Sequence, residues 1–320
     1  MATPSSFEFP ASDGYPIRGF VWRHEGGPSP VVIVNAATSV RCRYYFRFAY
    51  FLYRHGFHVI VYDYRGIGES RPATLRGFDA TWEDWGRDFD AMLRYAARHF
   101  AGRPIYVVAH SIGGYLAGLA GSSHRIERIF TVGAQFAYWP DYAPKRRLQM
   151  LMKWHIAMPL IAAWCGYVPG KRLRWMEDTP RGVARDWAFS GRSKPAHAPR
   201  FASLTAPILA VSFTDDEFAT VPAVARLLAC FTRSPRTHLR ISPDSIAEAA
   251  IGHFAFFHSR LAEKLWHIPL EWLRFGTPST RWPGVITKWE GENGRQSAED
   301  DGASGKDSGG SERAAARSAG

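Results

Sequence analysis

Short apolar segments that read as β-strands alternate with segments that read as helices through the first 132 residues of this 320-residue chain. The run 31–34, Val-Val-Ile-Val, is apolar on both faces, which is typical of a strand buried inside a parallel sheet. Regular alternation with short connections favours right-handed βαβ units. The sequence therefore predicts an α/β fold with a mostly parallel central sheet and helices on both faces, its first strands lying at residues 7–9, 17–22, 31–34, 58–63, 105–109 and 128–132.

Turn and capping residues mark the ends of these elements. The pair Asp13-Gly14 predicts a hairpin between the first two strands. A helix is expected at 43–55 with Gly56 after its end, and another at 82–100 with Thr81 as N-cap and an acidic first turn. A third helix is expected directly after the strand at 105–109, at residues 112–120.

The alternation stops at Gly133. Residues 134–200 form aromatic, basic, helical segments that are interrupted by prolines, and the strand pattern resumes at 206–212. A helix at 221–231, a strand at 238–242 and a last helix within 254–275 follow. We therefore expect a core made of 1–133 and 201–289, with 134–200 inserted as a helical cap. Residues 290–320 lack large apolar side chains and are expected to be a disordered tail.

Composition limits the classes of partner and cofactor. The formal net charge is +11, and residues 134–200 hold 12 Lys and Arg against 4 Asp and Glu, so this segment alone contributes +8. No nucleic-acid-binding motif accompanies the charge, so no nucleic-acid partner is expected. No apolar run is long enough for a transmembrane segment, and the first residues do not resemble a secretory signal. Three scattered cysteines favour a reduced, cytoplasmic location and no metal; no cofactor is expected.

Ser111 stands between the apolar strand at 105–109 and a predicted helix, in the stretch Ile-Tyr-Val-Val-Ala-His-Ser-Ile-Gly-Gly. This is the strand–turn–helix context of a nucleophile elbow, in which the residues two before and two after the serine must be small. Ala109 and Gly113 meet that demand, and Gly114 adds room. Ser111 is therefore the candidate nucleophile.

A serine nucleophile needs a base and an acid that orients the base. The loop after the strand at 206–212 contains three consecutive carboxylates. Asp216 is the predicted acid and Asp215 the alternative, with Glu217 less favoured. His253, which follows the strand at 238–242, is the predicted base.

Two other histidines lie near the predicted site. His258 is the competing candidate, but it is expected inside the last helix, where a base is harder to place. His110 precedes the nucleophile and is interpreted as a packing or hydrogen-bonding residue.

The order Ser111, Asp216, His253 resembles the triad of the α/β-hydrolase superfamily. The stretches Val-Asn-Ala-Ala-Thr-Ser-Val at 34–40, Tyr-Asp-Tyr-Arg-Gly-Ile-Gly-Glu-Ser-Arg-Pro at 62–72 and Ile-Gly-His-Phe-Ala-Phe-Phe at 251–257 are similar to a bacterial branch related to serine aminopeptidase and monoglyceride lipase. The resemblance implies an α/β-hydrolase fold and an oxyanion hole formed by the backbone N–H groups of Ala37 and Ile112. Asp-Tyr-Arg-Gly at 63–66 is interpreted as a structural turn anchor.

These residues predict a serine hydrolase that cleaves a carboxylic ester, or less favourably a thioester or amide, of a small-molecule acyl substrate through an acyl-enzyme. An acyltransferase would use the same residues, and a non-catalytic protein that binds an anionic partner through its basic cap is a further alternative. Substrate identity and oligomeric state stay open at this point. Aromatic residues of the cap are candidates for an apolar lining of the site, although most of them are expected to pack in the core of the cap: Phe136, Tyr138, Trp139, Trp154, Trp164, Trp175 and Trp187.

Overall fold

A large twisted sheet organises the structure, a computed structural model that describes residues 2–189, 197–290 and 295–298. The strands of the large sheet are β1 (Ser5–Pro10), β2 (Pro16–Trp22), β3 (Val31–Asn35), β4 (His58–Tyr62), β5 (Ile105–His110), β6 (Ile126–Val132), β9 (Ile208–Phe213), β10 (Arg236–Ile241), β11 (Val285–Glu290) and β12 (Arg295–Ala298). Two short strands, β7 (Tyr167–Val168) and β8 (Thr179–Pro180), lie outside it. The strand order in the large sheet is β1-β2-β4-β3-β5-β6-β9-β10-β11-β12.

The centre of the sheet is parallel, as the sequence predicts. Strands β4, β3, β5, β6, β9 and β10 pair in parallel, whereas β1, β2, β11 and β12 pair antiparallel at the two edges. All residues of β3, β4 and β5 are buried. The carboxyl ends of the parallel strands therefore meet at one edge of the sheet, where ligands bind in open α/β sheets.

Helices pack around this sheet. They are α1 (Phe46–Arg54), α2 (Trp82–His99), α3 (Ile112–Leu119), α4 (Arg147–Met150), α5 (Met158–Cys165), α6 (Gly170–Leu173), α7 (Arg181–Phe189), α8 (Ala198–Ser203), α9 (Val221–Leu228), α10 (Ala262–Leu265) and α11 (His267–Phe275). The predicted helix start at Thr81 is confirmed: the Thr81 hydroxyl accepts from the Asp84 N–H, and the Asp84 carboxylate accepts from the Thr81 N–H.

Among its described residues, the segment between β6 and β9 contributes no strand to the large sheet. Its helices α4 and α5 are joined by the π-helical run Leu151–Ala157, so residues 147–165 form one continuous helical run. The two short strands β7 and β8 pair with each other in the same segment. This is the segment that the sequence predicts as a cap.

Two elements differ from the sequence prediction. The last helix does not run continuously through 254–275: 3₁₀ turns at Ala255–Phe257 and Ser259–Leu261 precede α10 and α11. His258 lies between these turns, exposed and with an extended backbone, so its expected place inside a helix was wrong. The helix predicted at 43–55 begins with a 3₁₀ turn, Cys42–Tyr45, before α1.

Strands β11 and β12 were not predicted, because they pair antiparallel along a sheet edge that offers free backbone groups. Glu290, the last residue of β11, and all of β12 fall within the predicted disordered tail, so that prediction was wrong for residues 290 and 295–298; the rest of 290–320 lies outside the described residues. Within the described residues, no helix is long and apolar enough to cross a membrane.

Asp63 anchors the turn after β4, in agreement with its interpretation as structural. One carboxylate oxygen accepts from the Cys42 N–H at 2.6 Å, and the other accepts from the Glu69 N–H at 2.9 Å. Arg65 nearby is buried and pairs with the carboxylates of Asp13 and Asp88. These groups hold the loop that follows β4 and leave it no free carboxylate for chemistry.

Candidate active site

Ser111 occupies a strained turn between β5 and α3. Its backbone has φ 53° and ψ −119°, a conformation that residues with a side chain rarely adopt, and its N–H donates to the Val132 carbonyl at 2.9 Å. Strain of this kind persists only where the surrounding structure enforces it. The predicted strand–turn–helix context of Ser111 is therefore present, with the hydroxyl-bearing residue at the carboxyl edge of the sheet.

Two glycines allow α3 to approach the neighbouring strands. A Cβ added to Gly113 would lie 2.6 Å from the Asn35 carbonyl oxygen at the end of β3. A Cβ on Gly114 would lie 2.5 Å from the Cβ of Ala134, just beyond β6. The small residues after Ser111 are thus required by contacts on both sides of β5.

His253 and Asp216 form a buried pair after β10 and β9. The His253 Nδ1 lies 2.7 Å from Asp216 Oδ2, and the other Asp216 oxygen accepts from the Phe218 and Ala219 N–H groups at 2.9 and 3.0 Å. Because a carboxylate accepts and cannot donate, the proton lies on Nδ1 and the His253 Nε2 is left as an acceptor.

The environment of Asp216 keeps its carboxyl ionised. Burial alone would raise its pKa, but the charge and hydrogen bond of His253, together with the two backbone N–H groups, outweigh burial. The pKa of Asp216 therefore lies below its usual value. An ionised carboxylate at this place can both orient His253 and stabilise a positive charge on its ring.

Asp215, the alternative acid, has a different partner. Its Oδ2 accepts from the backbone N–H groups of Ile251 and Gly252 at 2.8 and 2.9 Å. Asp215 therefore fixes the loop that presents His253 and does not contact the imidazole through these bonds. Glu217 forms a half-exposed ion pair with Arg146.

Gly133, at the end of β6, makes room for the pair. Its φ is +59°, and an added Cβ would lie 3.0 Å from His253 Nδ1 and 3.3 Å from Asp216 Oδ2. In the sequence this glycine marked only the end of the strand–helix alternation. Its role depends on two loops that are distant in sequence, so no local signal revealed it.

A small apolar cavity brings Ser111 and His253 together. It has a volume of about 70 Å³. Its walls are formed by Ala37, Thr38, Ser111, Trp154, Trp175, Met176, Trp187, Phe218, His253 and Phe254. Of the aromatic candidates for the lining, Trp154, Trp175 and Trp187 line the cavity.

The other candidates lie elsewhere. Trp139 and Trp164 are 39% and 91% exposed, and Phe136 packs against Tyr115. The cavity walls also include Met176 and Phe218, which the sequence analysis did not single out. The π-helical run carries Trp154 to the cavity, so the segment between β6 and β9 forms part of its wall.

A buried polar chain connects the loops around Ser111. The Ala37 N–H donates to the Tyr45 hydroxyl oxygen at 2.9 Å, and this hydroxyl lies 2.8 Å from His110 Nδ1. The His110 Nε2 lies 2.9 Å from the carbonyl oxygen of His253. Because that carbonyl can only accept, the His110 proton lies on Nε2 and the Tyr45 hydroxyl donates to Nδ1.

These hydrogen bonds give His110 the role that its sequence position suggested, that of a hydrogen-bonding residue. Burial, together with the nearby His253, lowers the pKa of His110 to about 3, so its ring is neutral near pH 7. A neutral ring with one donor and one acceptor satisfies both neighbours. Tyr45, which the sequence analysis did not single out, connects β5 to the loop after β3 that contains Ala37.

The two predicted oxyanion donors differ in their surroundings. Ile112 is the first residue of α3, where a backbone N–H has no acceptor within the helix. The Ala37 N–H already donates to Tyr45, so it would have to share or exchange that partner to bind a substrate oxygen. The next residue, Thr38, also lines the cavity.

Among the described residues, no group of three or more His, Cys, Asp or Glu is placed to hold a metal ion.

A sequence model of a known protein family matches part of this chain. The sequence model of the family described as serine aminopeptidase, S33 (Hydrolase_4) matches residues 28–186. The chain belongs to the α/β-hydrolase superfamily. This result agrees with the mostly parallel sheet and with the strained turn at Ser111.

Solved structures of low sequence identity share the fold. A soluble variant of monoglyceride lipase from Saccharomyces cerevisiae, in complex with a substrate analogue, is 14% identical and has a TM-score of 0.63; the match covers 87% of this chain and 97% of that one. DcsB in complex with its substrate analogue is 14% identical with a TM-score of 0.61, covering 86% and 100%. The esterase Pf2001 of Pyrococcus furiosus is 14% identical with a TM-score of 0.55, covering 85% and 89%.

The contact between Gly113 and Asn35 leads to a stability prediction. Gly113→Ala should lower the free energy of unfolding by about 1–3 kcal/mol, because the added methyl overlaps backbone atoms that cannot rotate away. Gly121→Ala is the matched control: its Cβ would meet only Asp90 Oδ1 at 3.7 Å, and the change should stay within about 0.5 kcal/mol. Urea denaturation followed by circular dichroism measures both. Equal stability of the two variants would contradict the tight approach of α3 to β3.

Proposed function

We propose that this protein is a serine hydrolase that cleaves a carboxylic ester through an acyl-enzyme on Ser111. The observation that carries the proposal is the convergence of Ser111 and the His253–Asp216 pair on one apolar cavity. A serine on a strained turn, a histidine with a free Nε2 and a buried carboxylate are the groups that nucleophilic acyl transfer requires.

In the first half of the reaction, His253 Nε2 accepts the proton of the Ser111 hydroxyl while Oγ attacks the ester carbonyl carbon. Asp216 stabilises the imidazolium that forms. The tetrahedral intermediate collapses, the bond to the alcohol oxygen breaks, and His253 returns its proton to that oxygen. Ser111 then carries the acyl group as an ester.

In the second half, water replaces the alcohol. His253 accepts a proton from a water molecule while the water oxygen attacks the acyl carbon. The bond between the acyl carbon and Ser111 Oγ then breaks, and His253 returns the proton to Oγ. The products are the carboxylic acid and the free enzyme. If an alcohol or thiol takes the place of water, the same residues transfer the acyl group, as in an acyltransferase.

Negative charge develops on the carbonyl oxygen in both halves. We propose the Ile112 N–H as the first donor to this oxygen, because it points out of the first turn of α3. The second proposed donor, the Ala37 N–H, would share its proton between the Tyr45 hydroxyl and the substrate oxygen. Tyr45 then fixes the position of the Ala37 loop before substrate binds.

The cap role of the segment between β6 and β9 belongs to the same proposal. Trp154, Trp175, Met176 and Trp187 from this segment cover the cavity, and their apolar side chains would exclude water from the acyl group. The cavity is lined by no Asp, Glu, Lys or Arg side chain from the described residues. The acyl part of the substrate is therefore proposed to be apolar.

Labelling by a fluorophosphonate probe tests whether Ser111 is nucleophilic. We expect one covalent adduct, located on Ser111 by mass spectrometry of the digested protein, and no adduct with Ser111→Ala or with protein unfolded in urea. Circular dichroism of both proteins verifies folding. A folded native protein that resists the probe would overturn the catalytic proposal and favour a non-catalytic binding protein.

We expect substitutions of Asp216 and Asp215 to lower kcat by different factors. Asp216→Asn should lower kcat by about 10³–10⁴ with little change in KM, because the amide cannot hold the required tautomer of His253. Asp215→Asn keeps one oxygen that can accept from the Ile251 and Gly252 N–H groups, so a loss of less than about tenfold is expected. Hydrolysis of p-nitrophenyl butyrate measures both. A larger loss in Asp215→Asn would reverse the assignment of the acid.

The size of the cavity predicts the preferred acyl length. About 70 Å³ holds the equivalent of roughly five water molecules, so acyl groups of about four to six carbons should fit best. In a p-nitrophenyl ester series, kcat/KM should peak at butyrate or hexanoate and be at least about tenfold lower for dodecanoate. Rates that keep rising through dodecanoate would show that the aromatic wall opens for long chains.

A further inference from the structure

The helical run 147–165 exposes a row of large apolar side chains on the outside of the protein. Every fourth residue belongs to it: Leu148 is 71% exposed, Met152 51%, Ile156 39%, Leu160 64% and Trp164 91%. We call these five residues the outer stripe. Scattered exposed apolar residues are ordinary on a protein surface, but a continuous row of five indicates a binding surface.

The π-helical run keeps the outer stripe straight. In an α-helix, residues four apart drift by about 40° around the axis at each step, because each residue turns about 100°. A π-helix, with about 4.4 residues per turn, drifts in the opposite direction. Because Leu151–Ala157 are π-helical between α4 and α5, the two drifts offset each other over the seventeen residues from Leu148 to Trp164.

The opposite face of the same run is buried. Met150, Trp154, Met158 and Ala162 are at most 6% exposed, and they are offset from the outer stripe by two residues, or about half a turn. An ordinary surface helix has a polar outer face. This run is apolar on both faces, so packing against the protein does not account for the outer stripe.

Unpaired positive charges lie at both ends of the run, and the run itself contains no Asp or Glu. Lys145 lies just before it, and Arg172 and Arg174 lie shortly after it; all three are exposed, and none has a carboxylate partner within the described part of the chain. Two further cations here are paired, Arg146 with Glu217 and Lys171 with Glu177. After the paired cations are set aside, a positive charge therefore remains at each end of the outer stripe.

We propose that the outer stripe binds the surface of an anionic lipid bilayer. Apolar side chains in a row about 24 Å long can enter the boundary between headgroups and acyl chains, while cations at the ends contact lipid phosphates. Trp164, the most exposed member, is of the residue type that favours this boundary. The run would lie along the membrane surface and would not cross the bilayer.

The surface and the catalytic cavity share one structural element. Trp154 faces the cavity of Ser111 from the buried side of the run, so a bilayer on the outer stripe would lie about one helix diameter from the site. The lipid proposal does not depend on the proposed ester chemistry. Binding to vesicles and labelling of Ser111 are separate measurements, so one can fail without the other.

Vesicle flotation tests the proposal directly. The full-length protein is mixed with vesicles of phosphatidylcholine alone or of phosphatidylcholine and phosphatidylglycerol in equal parts, at low and at 0.5 M salt. We expect binding to the mixed vesicles, weaker binding at high salt, and at least about tenfold weaker binding to pure phosphatidylcholine.

Variants then locate the contact. The double variant Leu160→Ser, Trp164→Ser should weaken binding to mixed vesicles at least about tenfold, and Arg172→Gln, Arg174→Gln should weaken it and reduce its salt dependence. Phe275→Ser is the matched control, because Phe275 is 66% exposed at the end of α11 and outside the outer stripe. Unchanged labelling by the fluorophosphonate verifies that any variant which binds less is still folded; where the native protein does not label, circular dichroism serves instead.

Three results would overturn the proposal. The first is native protein that does not float with mixed vesicles, and the second is a double variant that floats as well as Phe275→Ser. The third is a native dimer in analytical ultracentrifugation that becomes monomeric in the double variant without any vesicle binding. That last result would assign the outer stripe to an interface between two copies of the chain.

Discussion

The absence of side chains at a few positions lets α3 and the loops at the carboxyl edge of the sheet pack closely enough to build a site. Gly113 faces the end of β3, Gly114 faces the residues after β6, and Gly133 faces His253 and Asp216. In each case a single methyl group would reach within 2.5 to 3.0 Å of another element. The positions of the proposed nucleophile and of its proposed base thus depend on the same close packing.

Buried hydrogen bonds fix what this packing brings together. Tyr45 accepts from the Ala37 N–H and donates to His110, and His110 donates to the His253 carbonyl, so three loops share one polar chain. Asp215 holds the His253 loop from the other side. Because an unsatisfied buried polar group is costly, each loop is constrained by the others. The arrangement of these loops therefore does not depend on a bound ligand.

Local sequence patterns predicted the elements and the proposed chemical groups, but not the contacts between loops. The strand before Ser111, the capped helix after Thr81 and the order of Ser111, Asp216 and His253 follow from periodicity and from short motifs. Apart from the bond between Tyr45 and Ala37, the contacts of Gly133, Tyr45 and Asp215 join residues 36 to 120 positions apart in the chain, and no local pattern records that. Strand β11 was missed for a similar reason, because its pairing with β10 on one side and β12 on the other decides it.

The helical run 147–165 shows why an apolar pattern alone cannot say which face is buried. The sequence made Trp154 and Trp164 equal candidates for the lining of the site, yet Trp154 faces the cavity and Trp164 faces solvent. Because both faces are apolar, the spacing of the apolar residues predicts a helix but does not indicate which face is buried. A search for α-helical spacing also does not detect π-helical turns. An outward apolar face costs solubility unless something binds it. Since the inward face of the same run forms the cavity wall, whatever binds outside contacts the element that covers Ser111.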